Sequence, residues 1–213
     1  MGEKPFLQAT VEQYLRELSQ RSIVPGGGSV SALAAALGAG LNLMVINYSA
    51  DHNSPEKATR AFSAARKRQE ESLEHLSRLI DEDCKVFREL MDALAEKRDA
   101  QKEYKAAASV PMRICRECHI SMHISEHLLE NANRNLLTDI GCAVRILKAA
   151  YYSAELNAAI NLGHIRDTSF AESTVKILRG MRKDIEVSVR DIQRQLAGLV
   201  EQVEGKDGEE DQW

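Results

Sequence analysis

The chain has 213 residues, four cysteines and a formal net charge of −4, with 28% charged and only 5% aromatic residues. That length suits one large domain or two small ones and gives a sizeable core without disulfides, while the slightly acidic balance excludes the broad basic surface of a nucleic-acid binder. Four prolines set against abundant Ala, Leu, Glu, Arg and Lys argue against strands and for an all-α protein.

Cys84, Cys115, Cys118 and Cys142 are read as reduced thiols. Met1–Thr10 lacks the basic-then-apolar pattern of an export signal, so a cytoplasmic location is expected.

In chain order, Pro5 to Gln20 reads as a first helix, with Thr10 capping its main part and Val11, Tyr14, Leu15 and Leu18 as its apolar stripe. Val24 to Tyr48 follows, the stretch around which the rest is organised. No charged residue occurs between Arg21 and Asp51. Pro25 with Gly26, Gly27 and Gly28 forms a turn, and Gly28 or Ser29 can cap a helix rich in Ala and Gly. Ser31, Ala35 and Ala39 recur at four-residue spacing, so neighbouring backbones can approach on all sides. The same stretch is long enough to span a bilayer. Its Asn42, Asn47, Ser49 and interior glycines favour a core helix, and no membrane partner is expected.

Asp51 to Lys57 is a boundary, with Ser54 and Pro55 as a helix start. From Pro55, apolar residues at three- and four-residue steps reach Leu94, a helix of about forty residues spanning roughly 60 Å. Such length predicts an elongated bundle. Arg98 to Glu130 reads as the next helix, with Pro111 kinking it or splitting it near Ser109. Asn131 to Asn135 breaks the chain, Leu136 to Leu162 is helical up to Gly163, and Asp167 to Val203 is a last amphipathic helix. Residues 1–203 are expected to form one domain of about six helices around the Ala/Gly-rich one. Residues 204–213 are expected to be a disordered acidic tail.

Asp83 shares a helix face with Leu76, Ile80 and Phe87, and Asp139 shares one with Leu136, Ala143 and Ala150. A carboxylate on an apolar stripe needs a partner, so each is either a structural ion pair or a functional acid. Asn133, Asn157 and Asn161 are either a core network or readers of a ligand with donors and acceptors. Cys115, His119, His123 and His127 recur at four-residue steps. Each step turns about 40° beyond a full turn, so all four cannot meet on one ion, and the face offers at most a two-ligand metal site. Cys115-Arg-Glu-Cys118-His119 has the spacing of a haem attachment site but lies inside a helical pattern with no export signal. The glycine loop lacks the lysine and the spacing of a phosphate loop.

Val24-Pro-Gly-Gly-Gly-Ser29 with its small-residue helix resembles the opening of the cyclodeaminase/cyclohydrolase family. Asp81-x-Asp83-x-x-x-Phe87, Val110-Pro111, Thr138-Asp139 and Asn157-x-x-x-Asn161-Leu162 match further, in order, over roughly residues 6 to 200. The resemblance implies a soluble, dimeric, all-helical fold with a folate site near the glycines, and no metal or organic prosthetic group. It implies turnover of a tetrahydrofolate derivative: hydrolysis of 5,10-methenyltetrahydrofolate, cyclodeamination of 5-formiminotetrahydrofolate, or both. The alternatives are a folate-binding homologue without turnover and a helical interaction or metal-binding protein using the Cys/His face. Asp83 and Asp139 are the candidate catalytic residues. Gly26, Gly27, Gly28, Ser29, Asn133, Asn157 and Asn161 are the candidate substrate-binding residues, and Arg113 or Lys148 is a partner for the glutamate tail. Where many relatives carry a lysine-rich stretch, Ser49-Ala-Asp-His-Asn53 stands here, with His52 as a possible substitute.

Overall fold

The computed structural model describes residues 5–50 and 56–204. Among them there are six α-helices and no strand: α1 Val11–Leu18, α2 Gly27–Ala50, α3 Glu56–Ala95, α4 Gln101–Asn131, α5 Leu137–Leu162 and α6 Thr168–Glu204. Short 3-10 turns at Phe6–Gln8 and Arg134–Leu136 precede α1 and α5. Of the expected tail at 204–213, Glu204 ends α6 and residues 205–213 lie outside the described residues, as do the Ser54-Pro55 start and His52.

α2 runs through the middle, against α3, α4 and α5, and α6 closes the far side over α4 and α5. Small residues make this possible. Ala32, Ala35 and Ala39 have no exposed surface. A Cβ on Gly38 would come within 2.7 Å of Leu147 Cγ and 3.3 Å of the Ala143 carbonyl oxygen, so the α2–α5 spacing depends on hydrogen at that position. By length and composition α2 could cross a bilayer, yet its neighbours are protein on three sides. The fourth side is open, because Leu37 and Tyr48 are more than half exposed; packing on every face was too strong an expectation.

Polar side chains set the helix register. Asn42 donates to the Ser121 carbonyl at 2.8 Å, Ser125 Oγ donates to Asn42 Oδ1 at 2.9 Å, and Gln69 donates to Ser121 Oγ at 3.1 Å. These four buried groups satisfy one another, so a slip of α2, α3 or α4 would strand them in the core.

Two expectations change. The first helix is shorter than Pro5 to Gln20: a Thr10 capping box with Gln13 starts α1 at Val11. Of its four stripe residues only Tyr14 is buried, and Val11 and Leu15 face solvent. Pro111 also fails to split α4, which stays one helix from Gln101 to Asn131 with the proline buried inside. A proline there deprives the Ala107 carbonyl of its N–H partner, four residues earlier. Asn161 on α5 replaces it, donating through Nδ2 to that carbonyl at 3.2 Å.

This compensation is measurable. Asn161→Ala should cost about 1–2 kcal/mol of stability, because it orphans a buried carbonyl. In a Pro111→Ala background the backbone N–H returns, and the same change should cost about 1 kcal/mol less. Urea unfolding of the four proteins reads the coupling; strictly additive costs would refute it.

Candidate active site

The glycine loop meets α3 and the end of α5 in a small cleft of about 130 Å³. Its polar floor is Asp83, Asn157 and Asn161 with the backbone of Gly26, Gly27 and Gly28; Ile23, Val24, Val86, Phe87, Ala107 and Ile160 form the apolar walls. No Lys, Arg or His lines it among the described residues.

α2 begins at Gly27, earlier than a cap at Gly28 or Ser29 would place it. The backbone N–H of Ser29 lies in the first turn, where no intrahelical acceptor exists, and it favours the charged form of the nearby Asp83. Burial drives the Asp83 pKa up, the Ser29 N–H pulls it down, and the balance leaves it at about 6. Asp83 is therefore a carboxyl poised to change charge just below neutrality.

The glycines are required by what faces them. A Cβ on Gly28 would lie 2.0 Å from Asp83 Oδ1, and one on Gly27 would lie 3.2 Å from Asn157 Nδ2. The carboxylate and the amide thus rest directly on the loop backbone. Gly26 has no atom within 4 Å of such a position.

Ser29 does not cap the helix with its hydroxyl. That group is fully buried and shares a 3.0 Å hydrogen bond with Tyr14 Oη. It also reaches Cys84, whose thiol burial pushes up to about 11, too high for a nucleophile at neutral pH. The N-terminal segment is held to the same region by Asp81, which accepts from the backbone N–H groups of Phe6 at 2.6 Å and Leu7 at 3.2 Å. Tyr14 and Asp81 therefore seat the loop that supplies Ile23 and Val24 to the cleft.

The two amides share one orientation. Asn157 Nδ2 donates to the Ser153 carbonyl at 2.7 Å; Asn161 Nδ2 donates to the carbonyls of Ala107 and Asn157, at 3.2 and 2.9 Å. Both donors of Asn161 and one of Asn157 are engaged on backbone, and the two amide oxygens remain for a ligand. The cleft thus offers carboxylate and amide oxygens and no cationic side chain, a setting that favours a positively charged or donor-rich guest.

Asp139 and Asn133 do not belong to this constellation. Asp139 lies in the first turn of α5, eighteen residues before Asn157 and so roughly 27 Å away along the axis. Asn133 sits where α2 ends, its backbone N–H donating to Ser49 Oγ at 3.1 Å and its side chain accepting from the Asn135 N–H. Ser49 is about 30 Å along α2 from Gly28, so within one chain Ser49 itself stands far from Asp83. The Cys/His face also separates. Cys115 is buried against the Tyr151 carbonyl, and His127 packs edge-on against Phe62. Only His119 and His123 stay together.

Sequence reasoning missed Tyr14 as a support and the Pro111–Asn161 compensation. The signal for the second was present in Val110-Pro111 and Asn157-x-x-x-Asn161, but not the contact between them.

Fold and cleft together define an all-α protein with an acceptor-lined, glycine-floored site at one end of its bundle. The family model described as formiminotransferase-cyclodeaminase matches residues 10–179, and the chain belongs to that family. It is 28% identical to a methenyltetrahydrofolate cyclohydrolase of Methylorubrum extorquens over 81% of this chain and 88% of that protein. It is 30% identical to the formimidoyltransferase-cyclodeaminase of Rattus norvegicus over 81% of this chain, but spans only 34% of that longer protein. Its fold matches formiminotetrahydrofolate cyclodeaminase from Thermotoga maritima with a TM-score of 0.86 at 27% identity, covering 91% of this chain and 98% of the other.

Proposed function

We propose that the chain is a folate one-carbon enzyme that hydrolyses 5,10-methenyltetrahydrofolate to 10-formyltetrahydrofolate in the glycine-floored cleft. The observation that carries this is Asp83: one half-buried carboxyl of raised pKa, held by a helix N-terminus, in a cleft with no competing cation. The methenyl group is a cationic carbon between two nitrogens, and a cleft whose one charged side chain is the Asp83 carboxyl attracts it.

Asp83 takes a proton from water as the oxygen adds to the methenyl carbon, giving a neutral tetrahedral adduct. The bond from that carbon to N5 then breaks. N5 takes up one proton as the adduct's hydroxyl loses its own and becomes the formyl C=O, so one proton is released overall. Asp83 serves as base in the first step and as acid in the second. The Asn157 and Asn161 oxygens accept from the ring system's N–H edge. At about 130 Å³ the cleft is smaller than the roughly 300–1,000 Å³ that encloses a drug-sized ligand. It admits the reacting rings and leaves the rest of the folate outside.

The glutamate tail finds its cation on α4. Arg116 lines a groove of about 460 Å³ between α3 and α4, together with Arg78, Arg113 and Glu82, the neighbour of Asp83. Arg113 is already paired with Glu82, whereas Arg116 makes no ion pair among the described residues. Lys148 lies over the Tyr152 ring and does not line this groove. A homodimer belongs to the same proposal: Ile23, Phe87 and Ile160 at the mouth are exposed, and a second copy of the chain would shield them.

The second reading, cyclodeamination of 5-formiminotetrahydrofolate, is supported by the structural likeness to the Thermotoga maritima protein. There N10 attacks the formimino carbon and ammonia leaves, through a tetrahedral carbon of the same kind. Purified protein incubated with each substrate separates them. Hydrolysis consumes the methenyl absorbance, and cyclodeamination generates that absorbance with one ammonia per turnover. Neither change at substrate saturation would leave a folate binder without turnover and refute the proposal.

A further inference from the structure

The His119–His123 pair on α4 has a geometry that the folate chemistry does not use. Their Nε2 atoms are 3.2 Å apart, and His119 Nε2 is also 3.2 Å from Asp184 Oδ2 on α6. His123 Nδ1 lies 2.7 Å from Glu126 Oε2. A carboxylate at that distance accepts a hydrogen bond from Nδ1–H, and in that tautomer His123 Nε2 presents its lone pair. His119 Nε2 then faces two electron-rich atoms with at most one proton. A single N–H cannot serve both well, whereas a divalent cation can. Donor atoms around a tetrahedral zinc-type ion, each 2.0–2.1 Å from it, are spaced about 3.3 Å apart, close to both observed separations. Glu126 stands where a carboxylate orients a metal-bound imidazole through its other nitrogen.

We propose that His119 and His123 chelate one zinc-type divalent ion at the surface, with Asp184 within reach to tie α4 to α6. Two imidazoles one helical turn apart supply two adjacent ligands of such an ion. Among the described residues no group of three or more His, Cys, Asp or Glu side chains forms a finished cage, so water or a shifted Asp184 completes the coordination. His123 and Asp184 are at least half exposed, which leaves a path for the ion. The site is about twelve residues from Ala107, roughly 18 Å along α4, and stands apart from the cleft.

Zn2+ titration of the metal-stripped protein against a chromophoric chelator tests this. One equivalent should bind per chain and raise the melting temperature. His119→Gln and His123→Gln should each weaken binding by at least about tenfold. His164→Gln, whose ring stacks on Tyr104 elsewhere, should leave it unchanged. Absence of stoichiometric Zn2+ binding, or an affinity unchanged in either of the two variants, overturns the proposal. Thermal melts of the metal-free variants confirm that they fold.

Discussion

Gly28→Ala is expected to lower turnover by a factor on the order of 10²–10⁴, the range a positioned acid–base group supplies, while Gly26→Ala, which leaves the Asp83 carboxylate undisturbed, costs far less. The two positions are in one loop and differ only in what faces them. An added methyl at Gly28 would overlap the Asp83 carboxylate, 2.0 Å from Oδ1 and 2.4 Å from Cγ. The carboxylate must then leave the Ser29 N–H, or α3 must withdraw from α2. At Gly26 the methyl meets nothing within 4 Å. Gly27→Ala should fall between, since the Asn157 amide at 3.2 Å has only to shift by a few tenths of an ångström. Turnover of methenyltetrahydrofolate measured beside urea midpoints separates this from a folding defect. Equal activity in all three variants would mean that the loop does not hold the reacting group.

Asp83→Asn should do two opposite things: abolish most turnover and make the protein more stable at neutral pH. A carboxyl whose native pKa is raised favours the folded state fully only while protonated. That contribution is complete below the ordinary carboxylate range and is lost as pH rises through about 6. Above that pH the native protein carries a half-buried anion that the unfolded chain would hydrate freely. The amide keeps an oxygen for the Ser29 N–H and removes the charge. Discounted for solvent at the cleft mouth, the gain is about 1–2 kcal/mol, worth a few degrees of melting temperature for a chain of this size. Below about pH 4 the gain should vanish, because both states are then neutral. Such a trade between stability and activity marks a residue retained for chemistry. Melting curves at pH 4 and pH 7.5 provide the comparison, and a destabilised variant at pH 7.5 would indicate that Asp83 is a structural ion-pair partner.

The parts of this arrangement that could be read from the sequence are those encoded within single helices. The Ala/Gly composition of Val24–Tyr48 announced a helix that others crowd. Leu76 and Ile80 around Asp83 announced an acid facing inward, and Asn157 and Asn161 announced two amides on one face. Asp139 carried the same local signature as Asp83 and proved remote from it. Apolar neighbours specify which way a side chain faces, not which end of a long helix meets the glycines. Pro111 misled for a related reason, since the group that replaces its missing N–H is Asn161, 54 positions away in sequence. Tyr14 went unread as a support because its helix displays Val11 and Leu15 to solvent, and the periodicity that predicted a buried stripe does not indicate how much of it the core covers.

The most direct test is the pH dependence of kcat/KM for 5,10-methenyltetrahydrofolate, measured on the unmodified protein and on Asp83→Asn. If Asp83 is the base, the rate rises tenfold per pH unit below the ionisation, levels off above about pH 6, and loses that limb in the amide variant. A profile with the same rising limb and the same plateau in both proteins would place the proton acceptor elsewhere and remove Asp83, and the cleft built around it, from the chemistry.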